Sequence, residues 1–430
     1  MGTFDRRILV VGGGAREHAL ARAFSLSDSV GEVFVAPGNA GIEDAHCVPI
    51  EPMDFQGLVS FARGHRVDLT VVGGEEPLVA GIRSVFRAEG LPIFGPTPQA
   101  AMLEGSKAFA KRFMEEYRIP TAKGEIFFRF EDAIEAVRTK GSFPLVIKKS
   151  GLAQGKGVRI AFDVDHAEAA LRALFTDADR DEHGLVVLEE RLFGDELSVF
   201  ALVNGRAFGW FGEARDYKSA YEDGRGPMTG GMGAYAPVRV VDATLRNTIE
   251  QQILTPTLEG LAEMNIPYEG FLYLGLMLTS EGPKVLEYNC RLGDPEAQVL
   301  LPRLESEAGE YLTPDLAELL LGVMDGNVPK EVEFASEAAV GVVLASEGYP
   351  GRVDDGRLIG TFEHAEEMGA LVFTGGVAPK DDDLVTRGGR ICTVVGLGAD
   401  LTEARRKAYA GIAQIDVAGA FFRRDIGYED

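Results

Sequence analysis

Residues 6–103 alternate short apolar runs with stretches of helical spacing, and this alternation constrains the fold more than any other feature of the chain. ILVV at 8–11, VFV at 33–35, LTVV at 69–72 and PIF at 92–94 are continuous apolar runs, the pattern of strands buried on both faces of a parallel sheet. Between them, EHALARAF at 17–24 and LVAGIRSVF at 78–86 place apolar residues at helical intervals. Repetition of this kind predicts a doubly wound sheet. Gly12, Gly13 and Gly14 follow the first strand and open the first helix, where an anion can sit on free N–H groups. A tight turn has the same composition. The dinucleotide pattern G-x-G-x-x-G fails at its sixth position, Glu17, and the second strand ends without a ribose-binding acid, which argues against a nicotinamide enzyme.

Beyond this sheet the pattern changes. SKAFAKRFM at 106–114 reads as a helix, and strands are expected at 143–148, 158–162 and 185–190 around a glycine loop, GLAQGKG at 151–157. A strand at 197–203, a glycine-rich stretch at 224–233 and a helix around 243–263 come next. A hairpin then pairs 271–279 with 284–290 across SEGP. The last hundred residues carry strands near 339–345, 371–374 and 391–395 and close on a helix expected to begin at Thr402. The resulting division is 1–103, 104–328 with a mobile lobe at about 121–191, and 329–430. With 430 residues, several cores are affordable.

The formal charge of −24 argues against nucleic acid as a partner, since such binding rests on neutralising phosphates with Lys and Arg. No apolar run approaches the ~20 residues that cross a bilayer, and no charged-then-apolar leader opens the sequence, so a cytoplasmic protein is expected. Cys47, Cys290 and Cys392 have neither disulfide-framework nor zinc spacing.

In the strand at 285–289, Glu287 and Asn289 are two residues apart and share one face, with Leu286, Tyr288 and Cys290 on the other. A carboxylate and an amide oxygen converging there suit Mg2+ bridging nucleotide phosphates; an ordinary polar strand face looks the same. Lys148 ends an apolar strand before a loop with three glycines and Lys156, an arrangement that can wrap phosphates although it is not a P-loop. Glu189 could present a carboxylate to an adenine edge. GPMTGGMGA at 226–234 has the density of small residues needed where backbone closes over a ligand, as an irregular loop also does, and Asp216 and Lys218 upstream could hold an amino acid's ammonium and carboxylate or equally be surface charges.

These segments in this order resemble the phosphoribosylamine–glycine ligase family of ATP-grasp enzymes. The hallmarks are GAREHAL at 14–20, APGNAG at 36–41, IFGP at 93–96, LEGSKAF at 103–109, the 151–158 loop, TGGMGA at 229–234, EYNCRLGDPE at 287–296 and RDIG at 424–427. The resemblance implies an α/β and α+β multidomain ATP-grasp fold, with an N-terminal doubly wound parallel-sheet domain and a small β-rich C-terminal domain. It implies that Lys107, Lys148, Gly155, Lys156, Gly157, Glu189, Leu192 and Glu196 hold ATP, and that Glu287 and Asn289 hold Mg2+, with Mn2+ as an equivalent hard ion. Gly12, Gly13, Gly14, Glu17, Gly38, Asn39 and Glu75 would line a phosphoribosylamine site. Asp216, Lys218, Gly230, Gly231 and Arg291 would face glycine, with Arg291 and Lys148 catalytic. The implied reaction joins glycine to 5-phosphoribosylamine through glycyl phosphate, in a monomer or weak dimer acting on small molecules. Tyr217 and Met228 stand where the family usually has His and Asn, so a ligase for another amino acid or amine is the alternative.

Overall fold

The computed structural model describes residues 5–140, 142–152, 157–175, 184–304 and 314–428. Its N-terminal sheet is wholly parallel, in the order β3 (His46–Cys47), β2 (Val30–Pro37), β1 (Arg6–Gly12), β4 (Leu69–Val72), β5 (Ile93–Phe94). Ile8, Leu9, Val10 and Val11 are fully buried, which explains the unbroken apolar run. Strand order reverses on either side of β1, so the turns after β1 and β4 flank a crevice, the usual ligand position in such sheets. Gly13 and Gly14 lie on the first of those turns, directly after Gly12 at the end of β1, and Glu75 opens the helix that follows the second.

The expected helix at 78–86 is two helices, Glu75–Val79 and Ile82–Ala88, because Gly81 adopts φ +94°, a left-handed conformation that ends one helix and redirects the chain into the next.

A four-stranded antiparallel lobe follows, in the order β6 (Gly124–Phe127), β9 (Val186–Glu190), β7 (Leu145–Lys149), β8 (Val158–Ala161). Helices Phe130–Lys140 and Val164–Leu174 bury Ala133, Val137, Ala167 and Leu171 against it, giving the lobe a core of its own.

The rest is organised by one eight-stranded antiparallel sheet: β16 (Gly282–Asn289), β15 (Glu269–Thr279), β10 (Asp195–Asn204), β11 (Ala207–Asp216), β14 (Gly233–Ala236), β17 (Ala338–Ala345), β22 (Arg390–Gly398), β19 (Ala370–Thr374). The last three strands come from the C-terminal region and continue the sheet at β14, where Gly233 faces Val342. Two small sheets complete the architecture: the hairpin β12 (Ser219–Tyr221) with β13 (Arg225–Met228), and β18 (Leu358–Ile359), β21 (Asp383–Thr386), β20 (Val377–Lys380).

The closing helix spans Leu401–Ile412 and its N-cap is Asp400, whose carboxylate accepts from Glu403 N at 2.9 Å; Thr402, expected to begin it, lies within the first turn. A Cβ at Gly396 would overlap the Ala404 carbonyl, so glycine lets this helix lie close on β22. The stretch expected as a helix at 243–263 carries a π turn at Glu250–Leu254 between Ala243–Ile249 and Thr255–Glu263.

Replacing Gly81 by Ala leaves ordinary space, with Pro98 side-chain atoms no nearer than 3.7 Å, so the cost comes from the backbone alone. Gly81→Ala is expected to destabilise by about 1 kcal/mol, seen as a lower thermal midpoint; an unchanged midpoint would show that the break needs no left-handed residue.

Candidate active site

The N-terminal crevice, the lobe and one end of the long sheet open on a single cleft of about 2080 Å³. Its lobe wall is built from charges. Ser106 caps helix Lys107–Glu116, accepting from Phe109 N at 3.1 Å, while Ser150 Oγ accepts from Ala108 N at 3.2 Å. One turn of that helix separates Lys107 from Lys111, so both fall on one face. Lys111 is fully buried and ion-pairs with Glu189 at 2.9 Å while donating to the Ala122 carbonyl. Lys148, at the end of β7, pairs with the other Glu189 oxygen at 2.6 Å and donates to the Leu286 carbonyl at 3.0 Å. Burial pushes the Glu189 carboxyl up, but Lys148 and Lys111 outweigh it and hold the group below its ordinary range. The Lys107 ammonium is pushed down by burial, against the pull of Glu287.

The sheet wall is β16. A bulge between Gly275 and Leu276 leaves Leu286 unpaired and turns its carbonyl to Lys148. Glu287 and Asn289 both reach the cleft, and so do Leu286 and Tyr288, which strand alternation places on the opposite face: the bulge breaks the alternation at Leu286, while Tyr288 sends its hydroxyl to Thr257 at 2.8 Å. Lys218 lies 3.0 Å from Glu287 Oε1; chiefly for that reason, with Lys107 and Lys148 adding, the Glu287 carboxyl is held at about 2 despite burial. Asn289 Oδ1 accepts from Arg291 at 3.3 Å. Arg291 also bridges Glu75 at 3.2 Å and Glu104 at 2.7 Å, and Glu104 accepts from Cys290 N at 2.7 Å. Burial raises the Glu75 carboxyl, but Arg291 and Arg16 bring it down to about 2.

At the third wall, Asp216 ends β11 and is buried, and its Oδ1 has no hydrogen-bond partner. Burial and the neighbouring Glu296 raise its carboxyl well above the usual range. Glu296 accepts from Tyr273 Oη at 2.7 Å and Ser198 Oγ at 3.0 Å. Gly231, at φ +126°, lies so close that a Cβ would come within 2.9 Å of Asp216 Oδ1. Arg390 donates to Asp294 O at 2.6 Å and Gly230 O at 3.3 Å, and pairs with the Asp294 carboxylate at 3.0 Å. Gly230 N donates to Tyr349 Oη at 3.1 Å.

The glycine turn after β1 behaves differently. Glu17 folds back to accept from Gly14 N at 2.6 Å and pairs with Arg16 at 2.8 Å, and a Cβ on Gly12 would collide with it at 2.6 Å. A Cβ on Gly13 would sit 2.5 Å from Gly38 O, while Asn39 Nδ2 donates to Gly13 O at 3.0 Å and Thr374 O at 2.9 Å. Of the seven residues expected around phosphoribosylamine, Gly14 and Glu75 line the cleft, whereas Gly12, Gly13, Glu17, Gly38 and Asn39 build the turn behind it. Lys107, Lys148, Gly157, Glu189, Leu192, Glu196, Glu287, Asn289, Asp216, Lys218, Gly230 and Arg291 all line it, and Gly231 abuts Asp216. Gly155 and Lys156 lie outside the described residues. Tyr217 directs its hydroxyl to the C-terminal segment, accepting from Gly427 N and donating to Tyr428 O, both at 3.2 Å.

Sequence reading missed Lys111, Glu104, Arg16 and Arg390 as contributors. Lys111 had a signal, its one-turn spacing from Lys107. Arg390 had none, because it reaches the cleft only through the pairing of β22 with β17.

As a cation site, Glu287 and Asn289 offer an ionised carboxylate and an amide oxygen on one wall. Among the described residues no group of three His, Cys, Asp or Glu could hold a metal alone. Two hard oxygen ligands beside Lys107, Lys148 and Lys218 fit Mg2+, which keeps waters and shares phosphates rather than occupying an all-protein cage.

Three family models together match nearly the whole chain: the phosphoribosylglycinamide synthetase N domain over residues 6–104, its ATP-grasp (A) domain over 105–297 and its C domain over 339–429. A phosphoribosylamine–glycine ligase of Pasteurella multocida is 45% identical over 427 residues, 98% of this chain and 97% of that protein. One of Allochromatium vinosum is 44% identical over 428 residues, 98% of each. The crystal structure of phosphoribosylamine–glycine ligase from Thermotoga maritima superposes with a TM-score of 0.82 at 38% identity, covering 97% of this chain and 99% of the other. The biotin carboxylase domain of a Hydrogenobacter thermophilus 2-oxoglutarate carboxylase, at 14% identity and TM-score 0.71 over 98% and 92% of the two chains, shares the fold.

The Glu75–Arg291 pair makes a pH prediction. A carboxyl held near 2 in the folded chain contributes stability above its unfolded value of about 4.3 and loses that contribution as pH falls toward 2. The thermal midpoint of Glu75→Gln should therefore lie below that of the parent at neutral pH and approach it between about pH 4.5 and 2. A gap that stays constant with pH would contradict the assignment.

Proposed function

The chain belongs to the phosphoribosylglycinamide synthetase family, and from that premise we infer that it is an ATP-dependent carboxylate–amine ligase, joining glycine to 5-phosphoribosylamine to give glycinamide ribonucleotide, ADP and phosphate in de novo purine biosynthesis. The observation that carries the inference for this chain is the convergence of Lys148, Glu287, Asn289 and Asp216 on one cleft. Phosphoryl transfer asks little covalent work of a protein; it asks for positioned cations, and an amide ligase must add an amino-acid site within reach of them.

In this reading Lys107, Lys148, Glu189, Leu192, Glu196 and Gly157, with Gly155 and Lys156, hold ATP. Glu287 and Asn289 hold Mg2+, which when bound neutralises charge on the nucleotide phosphates; Mn2+ is an equivalent hard ion. Glycine's ammonium needs a buried acceptor, and the unpartnered oxygen of Asp216 supplies one beside the Gly230–Gly231 turn. Lys218 and Arg291 face its carboxylate. A glycine carboxylate oxygen attacks the γ-phosphorus, the bond to the ADP oxygen breaks, and Lys148 and Arg291 offset the charge in flight. The phosphoribosylamine nitrogen then attacks the carbonyl carbon of glycyl phosphate, phosphate leaves, and the nitrogen gives up a proton. The lobe built on β6, β7, β8 and β9 closes on the cleft and keeps water from the acyl phosphate. Gly14 and Glu75 face phosphoribosylamine, while Glu17, Gly38 and Asn39 fix the turn presenting Gly14.

Because the Tyr217 hydroxyl is engaged with Gly427 and Tyr428, its difference from the family residue bears on the C-terminal segment and does not favour another amino acid. No helix among the described residues is long and apolar enough to cross a membrane, and we propose action in the cytoplasm as a monomer or weak dimer.

ADP release should require glycine and phosphoribosylamine together, and substituting other amino acids should abolish it; robust turnover with a different amino acid alone would overturn the substrate assignment. Glu287→Ala should lower glycine-dependent turnover by on the order of 100-fold, and undiminished turnover would remove Glu287 from the metal site.

A further inference from the structure

Two features of the sequence have no part in the reaction just described: Tyr217 and the RDIG segment at 424–427. The structure joins them. Arg423, only 4% exposed, grips Asp425 with two parallel hydrogen bonds of 2.8 and 2.6 Å and donates a third, of 2.9 Å, to the Ser219 carbonyl at the start of the β12–β13 hairpin. Its guanidinium also stacks over the Tyr217 ring, 5.1 Å from the centroid. Asp425 in turn accepts from Asp223 N at 3.1 Å in the hairpin turn.

The same segment is held from behind. Tyr409, on helix Leu401–Ile412, donates to the Arg423 carbonyl at 2.9 Å and accepts from Ile426 N at 3.0 Å, and Arg405 covers the Tyr428 ring. A continuous series of contacts thus runs from a helix packed on the long sheet, through residues 421–428, to the hairpin. The hairpin begins next to Lys218, whose own carbonyl is pinned by Thr229 N at 2.8 Å and Thr229 Oγ1 at 2.9 Å, and whose ammonium meets Glu287.

We propose that residues 421–428 form a strap that sets the hairpin over the amino-acid end of the cleft, with Arg423 as the positioning residue for Lys218 and Asp216. The proposal rests on the amino-acid site given above. Arg423 touches neither Glu189 nor Lys148, so its influence belongs to the amino-acid half of the cleft and not to the nucleotide half. Its planar fork makes three directed bonds at once, and a lysine ammonium cannot reproduce them.

Steady-state kinetics on the full chain tests this, using the amino acid that supports turnover in the parent. Arg423→Ala is expected to raise the KM for the amino acid by about tenfold while the KM for ATP stays within about twofold. Arg423→Lys should recover only part of the loss. Should Arg423→Ala not fold, Tyr217→Phe, which deletes one hydroxyl, makes the same comparison with a smaller expected shift. The two KM values rising together, or neither moving, would overturn the proposal. The parent's own rate with glycine tests the reaction assignment, and the ratio of variant to parent tests the strap, so the two fail separately.

Discussion

The cleft depends on one buried chain of charge: Lys111 to Glu189, Glu189 to Lys148, and Lys148 to the carbonyl of Leu286. Each link joins a different element, a helix, the lobe sheet and the edge strand of the long sheet. Burying three ionised groups is costly unless each is paired with good geometry, and here the pairing distances of 2.9 and 2.6 Å meet that condition. Removing one member would leave an uncompensated buried charge. The arrangement therefore fixes the lobe wall against β16 and places an ammonium one residue from Glu287.

Other parts of the site rest on similar economy. The bulge that frees the Leu286 carbonyl lies directly before Glu287, and Glu287 and Asn289 both line the cleft. Arg291 is shared between Glu75 of the N-terminal crevice, Glu104 of the helix Pro98–Gly105 and Asn289 of β16, so three segments distant in sequence are brought into register by one guanidinium. The C-terminal region contributes in the same way, through β17 beside β14 and Arg390 against Asp294.

Much of this was legible in the sequence. Continuous apolar runs announced the parallel sheet because strands buried on both faces have no polar side to show. The Glu287 and Asn289 spacing identified a shared face, and only the surrounding segment distinguished it from an ordinary strand. What escaped was whatever depends on tertiary contact. The glycines at 12–14 left an anion cradle and a tight turn both open, and the fold-back of Glu17 against Gly12 and Gly14 is a tertiary detail that composition does not record. The run at 78–86 reads as one helix because the φ of Gly81 cannot be seen in a sequence. Arg390 had no local signature, since Asp294 lies 96 residues away; Arg423 has a local partner in Asp425, but its bond to the Ser219 carbonyl, about 200 residues away, cannot be seen in the sequence.

The proposed reaction turns on phosphorylation of glycine's own carboxylate in this cleft before the amide forms. Glycine labelled with 18O in its carboxylate tests it directly: one labelled oxygen should appear in the inorganic phosphate for each amide made, since the carboxylate oxygen that attacks the γ-phosphorus leaves with it. Phosphate free of label, with the departing carboxylate oxygen recovered in water instead while the other remains in the amide carbonyl, would contradict the account.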